Sequence, residues 1–132
     1  MNKKLVEVVA AVIENENNEI LCALRSPIMT LPNMWEFPGG KVEEGESLYT
    51  AIEREIKEEL KCSIKAIEII GENRHEYEKI IVNLTAIKCN LVEGEPVADD
   101  HSKLIYLNIE NLESLVWAPA DIPLVKKVIN IK

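Results

Sequence analysis

The sequence predicts an α+β fold, on three observations. Segments rich in β-branched and apolar residues recur between clusters of turn-forming residues, the pattern of short strands. One stretch, Ser47 to Leu60, instead repeats its apolar residues at helical spacing. At about 100° per residue, Leu48, Ile52, Ile56 and Leu60 form one stripe with Ala51 at its edge. The chain, 132 residues long and 47% hydrophobic, is one domain with enough apolar material for a buried core.

Leu5 to Glu14 reads as a buried strand, Asn15-Glu16-Asn17-Asn18 as its turn, and Glu19 to Arg25 as the returning strand of a hairpin. Arg25, at the end of the return, is a surface residue or a phosphate contact, and position alone favours the surface. Ser26 to Asn33, interrupted by Pro27 and Pro32, is a loop. It leads into the extended Trp35-Glu36-Phe37-Pro38, where Trp35 and Phe37 share a face. Core packing and a base-stacking pocket explain those two rings equally well. Beyond the helix, Ser63 to Gly71 and Lys79 to Cys89 are strands around a polar hairpin, Glu72 to Glu78, that holds His75 and Tyr77. An isolated histidine of this kind is more often without a role than catalytic. Lys79 meets a phosphate or blunts a strand edge. Asn90 to His101 is a loop, Leu104 to Leu107 a strand, Asn108 to Leu115 a short helix, and Leu124 to Ile131 the last helix. Asp121, just before that helix, is at face value an N-cap.

The anomaly lies in the helix Ser47 to Leu60. Glu59 falls inside its apolar stripe, and Glu55 falls on the border beside Glu58. A carboxylate aimed at a core is costly unless it is paired or binds a cation. Acids at i, i+3 and i+4 also repel one another on one helix face. Taken alone, the helix is as well explained by a solvated acidic face as by a cation site. Gly39-Gly40 shifts the balance, because adjacent glycines permit positive φ and close backbone approach, and Gly45 permits a further turn. A loop that bends back brings its carbonyls to the carboxylates, where a hard divalent cation with oxygen ligands fits. Asp99-Asp100 are either plain turn residues or bring an acid, Asp100, to the same place from across the sheet.

The formal net charge of −8 argues against a duplex nucleic acid or a polyanionic surface as partner. An acidic protein that handles phosphates needs metal ions to mediate, which agrees with the helix. Cys22, Cys62 and Cys89 are odd in number and widely spaced, so buried, reduced thiols in a cytoplasmic protein are expected. The apolar run Val8 to Ile13 is too short for a signal or a membrane span, and no membrane partner is expected.

Gly40, five residues, Glu46, seven residues, then Arg54-Glu55-Ile56-Lys57-Glu58-Glu59 resembles the signature of the Nudix hydrolases. The family usually has glycine where Lys61 stands, with Cys62 at the following apolar position; a lysine at the helix C-terminus still suits the dipole. The likeness runs nearly end to end, through Asn15 to Ile20, Trp35 to Lys41 and Pro119 to Pro123, toward the MutT subgroup and its CTP pyrophosphohydrolase relatives. It implies an αβα sandwich with a mixed β-sheet between helices. It also implies Mg²⁺ or Mn²⁺ held by Glu55, Glu58, Glu59, Asp100 and a carbonyl of Gly39 or Gly40. Arg54 and Glu46 would pair and brace the loop, and Glu55 or Asp100 would be the base.

By the same resemblance Arg25 and Lys79 match basic residues near the substrate, Phe37 an aromatic near the base, and Lys41 a further substrate contact. Asp121 matches the residue that reads the nucleobase edge. Ionised, it favours donor edges such as the cytosine N4 amine; protonated, it also admits a guanine-type edge. The implied reaction is water attack on the β-phosphorus of a nucleoside triphosphate such as 8-oxo-dGTP or (d)CTP, releasing a monophosphate and pyrophosphate. The implied enzyme is a monomer or homodimer. A Nudix hydrolase of ADP-ribose or dinucleoside polyphosphates ranks lower, since no Ser-Gln-Pro-Trp-Pro-Phe-Pro-like run follows the motif. A catalytically silent nucleotide-binding module would have lost motif acids, and Glu55, Glu58 and Glu59 are all present.

Overall fold

β1 (Lys4–Glu14) lies inside the sheet, and its composition explains why. Side chains alternate along a strand, so a run apolar at every position must be covered on both faces. Val9, Ala11 and Ile13 enter one core, while Ala10 and Val12 enter another. The computed structural model describes residues 3–131. In it β1 pairs in parallel with β6 (Ile80–Glu93), from Lys4 opposite Ile80 to Glu14 opposite Asn90. Antiparallel neighbours complete the sheet. β2 (Glu19–Leu24) and β4 (Gly39–Lys41) pair with β1, and β3 (Trp35–Glu36) and β7 (Lys103–Asn108) pair with β2. β5 (Ser63–Glu76) closes the far edge against β6. One parallel pairing among antiparallel ones makes the sheet mixed.

Helix α1 (Leu48–Leu60) covers the first face through Ala51, Ile52, Ile56 and Leu60. Burying each of the three large aliphatics contributes about 1.5–3 kcal/mol. Ser47 caps the helix, its Oγ accepting from the Thr50 N–H at 3.1 Å. The second face is covered by α2 (Ile122–Ile131) and a 3-10 helix (Ile109–Ser114), through Leu112, Leu124, Val125 and Val128. The result is an αβα sandwich. Among the described residues no helix is long and apolar enough to cross a membrane. Cys22, Cys62 and Cys89 are all buried free thiols.

Two sequence expectations change and two gain detail. The polar segment Glu72 to Glu78 is mostly strand, paired from Glu72 opposite Thr85 to Glu76 opposite Ile81. Pairing along the whole of β6 overrides its polar composition, since one face of the ribbon is solvated. The short helix expected at Asn108 to Leu115 is present, as a 3-10 helix over Ile109–Ser114. Gly39 and Gly40 form a strand, not a bend with positive φ; it is Gly45, at φ 81°, that makes the left-handed turn. The glycine usual after this helix is replaced by Lys61 in the left-handed conformation itself, at φ 59°.

Candidate active site

The site begins where β4 runs under α1. Gly40 lies opposite Val9 and Gly39 opposite Ala10. A Cβ on Gly39 would collide with the Val9 carbonyl, and one on Gly40 with the Glu55 carboxylate. Missing side chains therefore allow the strand backbone and Glu55 to touch.

Arg54 organises the acids around that contact. Its Nε and Nη2 donate to the two oxygens of Glu46 at 2.6 and 2.9 Å, a bidentate fork. Nη2 also donates to the Lys41 carbonyl at 3.1 Å, and Nη1 to Glu58 Oε1 at 3.1 Å and Glu55 Oε2 at 3.3 Å. The loop after β4 is thus tied to the helix. Hydrogen bonds from Arg54 and from the Glu43 N–H pull the Glu46 carboxyl down to about 2. The Arg54 guanidinium is pushed up in turn, chiefly by Glu46. Lys41 contributes its carbonyl, and its side chain is exposed.

The three motif acids differ in depth. Glu58 is exposed, Glu55 half-buried, and Glu59 directed inward beneath them. Burial raises the Glu55 carboxyl, opposed by Arg54. Burial pushes Glu59 to about 7; His101 opposes this, while Glu55, Glu36 and Asp100 add to it. Its Oε2 is buried and has no hydrogen-bond partner among the described residues. An orphaned carboxylate oxygen, an acidic face and a glycine cradle around Glu55 are a donor set that fits a hard divalent cation. Among the described residues no three acidic, histidine or cysteine side chains already stand in metal-ligand arrangement. Arg54 pairs with both Glu55 and Glu58, as well as with Glu46. Asp100 is exposed in the loop before β7.

The sequence-predicted substrate residues are distributed unevenly. Arg25 is not a free cation. Its Nη1 donates to Glu36 Oε1 at 2.8 Å, its Nε to the Thr30 carbonyl at 2.6 Å and its Nη2 to the Thr30 hydroxyl at 2.9 Å. The Phe37 ring, 3% exposed and 4.8 Å from Trp117, belongs to the α2-side core, because strand alternation turns it away from α1. Asp121 does not use its side chain to cap α2: its Oδ2 accepts from the Phe37 N–H at 3.0 Å. Burial pushes that carboxyl up to about 8. Lys79 is exposed in the β5–β6 turn, two residues from Tyr77, whose hydroxyl accepts from the Ala120 N–H at 3.1 Å beside Asp121. His75 lies in β5 with its ring 4.5 Å from that of Tyr77.

Two residues escaped the sequence reading. Glu36, opposite Ala23, points to the α1 side and is bonded to both Arg25 and the buried His101. An acid between two aromatics in a short extended segment was the available signal for Glu36. His101 had none, since its partner is 65 residues away.

Sandwich and acid-bearing helix are those of the Nudix domain, whose family model matches residues 4–128; the chain belongs to the Nudix hydrolase family. Within it, the chain is 37% identical to a CTP pyrophosphohydrolase of Escherichia coli (strain K12), covering 93% of this chain and 90% of that one. It is 28% identical to an 8-oxo-dGTP diphosphatase of Haemophilus influenzae, covering 98% and 96%. It superposes with a TM-score of 0.81 on the solution structure of the MutT protein of methicillin-resistant Staphylococcus aureus 252, at 46% identity, covering 99% of this chain and 100% of that one.

Proposed function

We propose that this protein is a MutT-like pyrophosphohydrolase that cleaves nucleoside triphosphates of the 8-oxo-dGTP or (d)CTP type to the monophosphate and pyrophosphate. The observation that carries it is Glu59, whose Oε2 is buried and unpartnered among the described residues, on the same helix as Glu55, which packs on Gly40. The two relatives named for such substrates support the choice of substrate class. A Mg²⁺ or Mn²⁺ ion held by Glu55, Glu58, Glu59, Asp100 and a Gly39 or Gly40 carbonyl would neutralise the polyphosphate and acidify the attacking water.

The remaining chemistry belongs to the chain. Arg54, fixed by Glu46 and the Lys41 carbonyl, holds the loop and helix in register. Glu55 or Asp100 takes the proton of the attacking water. Asp121 reads the base: burial raises its carboxyl to about 8, and a carboxyl in that range accepts from a donor edge when ionised and also donates to an acceptor edge when protonated. Lys79 and Lys41, both exposed, meet the phosphates. Arg25 acts through Glu36 rather than as a direct contact. Three buried thiols support a reducing, cytoplasmic setting, where hydrolysis of a damaged triphosphate keeps it out of DNA.

The test is pyrophosphate release from the four ordinary triphosphates, 5-methyl-dCTP and 8-oxo-dGTP, with and without Mg²⁺. Glu59→Gln is expected to lose at least about 100-fold in kcat with its thermal unfolding intact. Near-normal Mg²⁺-dependent turnover in that variant would remove the site from consideration.

A further inference from the structure

The segment 97–102 carries Asp100 past the end of α1. Backbone bonds pin its two ends: the Val97 N–H donates to the Leu60 carbonyl and the Ser102 N–H to the Leu24 carbonyl, both at 2.9 Å. Between these pins Asp99 and Asp100 are exposed, and Lys61 approaches Asp99 only to 3.7 Å. His101 is the buried residue of the segment, 7% exposed. Its Nε2 lies 2.7 Å from Glu36 Oε2. A carboxylate oxygen accepts, so the ring presents its Nε2–H. Glu36 is held from its other oxygen by Arg25, and Arg25 by the carbonyl and hydroxyl of Thr30. A line of side-chain bonds thus runs from the loop after β2, through β3, and ends one residue from Asp100.

We propose that His101 is a positioning residue for Asp100: its bond to Glu36 seats the segment 98–101 against the acidic face of α1. The inference rests on the reading of Asp100 and Glu59 as parts of one hydrolytic site. Its physical basis is that a hydrogen bond to a carboxylate is stronger than a neutral one. The two backbone pins alone leave four residues free to move between them.

The experiment compares the wild type with His101→Phe, His101→Gln, Asp100→Asn and the His101→Phe/Asp100→Asn double variant, on the best triphosphate of the panel above. His101→Phe is expected to lower kcat at least about tenfold while KM stays within about threefold, as misplacement of a reacting group does. His101→Gln retains an Nε2 donor and is expected to restore kcat to within about threefold. In the double variant the Phe replacement should add less than about twofold to the Asp100→Asn loss, because the two act as one unit. Amide exchange supplies a readout without turnover: in the nucleotide-free protein, residues 98–101 should exchange faster in His101→Phe, with β1 and β6 protected as before. His101→Ala, which adds no bulk, gives the same readouts where Phe disturbs the fold.

Wild-type kcat in the Phe and Ala variants overturns the inference. So does a Gln variant as slow as Phe, a full multiplicative loss in the double variant, or unchanged exchange at 98–101. Glu59→Gln separates the two levels. If it turns over normally, the site itself is misread. If it is inactive while Asp100→Asn is unimpaired, only the role of His101 falls.

Discussion

Asp121 shows how burial alone can set the behaviour of one side chain. It is 5% exposed, its carboxyl is raised from 3.8 to about 8 by desolvation, and the Phe37 N–H only partly compensates. Between those two values the folded protein keeps a proton that the unfolded chain has released. Stability linked to this group is therefore fully present below about pH 4 and is lost as pH rises through about 8. Urea unfolding of the wild type should show its stability falling relative to Asp121→Asn across that interval. The amide cannot ionise, yet its oxygen still accepts from Phe37. Parallel pH profiles for the two proteins would show that Asp121 stays ionised in the folded state.

At the level of elements, two turns of chain geometry carry separable costs. Gly39 and Gly40 are adjacent, yet each faces a different obstacle. Gly39→Ala meets the Val9 backbone, which cannot yield, and should destabilise the fold by about 1–3 kcal/mol in chemical denaturation. Gly40→Ala meets the Glu55 side chain, which can rotate away. It should leave stability nearly intact while lowering kcat by about 100-fold through the displaced carboxylate. The helix exit is the other case. Lys61 holds a left-handed φ that glycine adopts without strain, while its Nζ donates to the Glu58 carbonyl at 2.7 Å in an exposed bond. Lys61→Gly should accordingly raise stability by about 1 kcal/mol, read as a higher denaturation midpoint with an unchanged slope.

For the molecule as a whole, the decisive feature is that one sheet separates two cores. The acids gather on the α1 side, and the aromatic cluster of Phe37 and Trp117 fills the α2 side. Phe37 contributes packing, and its backbone N–H is what reaches Asp121. Phe37→Ala should cost about 3–5 kcal/mol of stability, whereas Phe37→Leu should keep KM within about twofold of the wild type. A large rise in KM for the Leu variant, without loss of stability, would return the ring to the substrate.

The helix from Leu48 to Leu60, the doubly buried β1 and the glycine opposed to the acids were legible in the sequence, because periodicity and spacing are properties of neighbouring residues. The extent of β5 and the strand at Gly39–Lys41 were not, since partner strands and packing decided them over local propensity; the short helix near the C-terminus was legible as a helix but not as a 3-10 one. Least visible were the contacts that position the site: Glu36 with His101 across 65 residues, and Asp121 with Phe37 across 84. Such pairs exist only when the sheet register brings distant segments side by side, and no local pattern encodes that register. The sequence by itself determined which carboxylates lie on one helix face; the tertiary structure decided which of them are buried, which are paired, and what holds the facing loop in place.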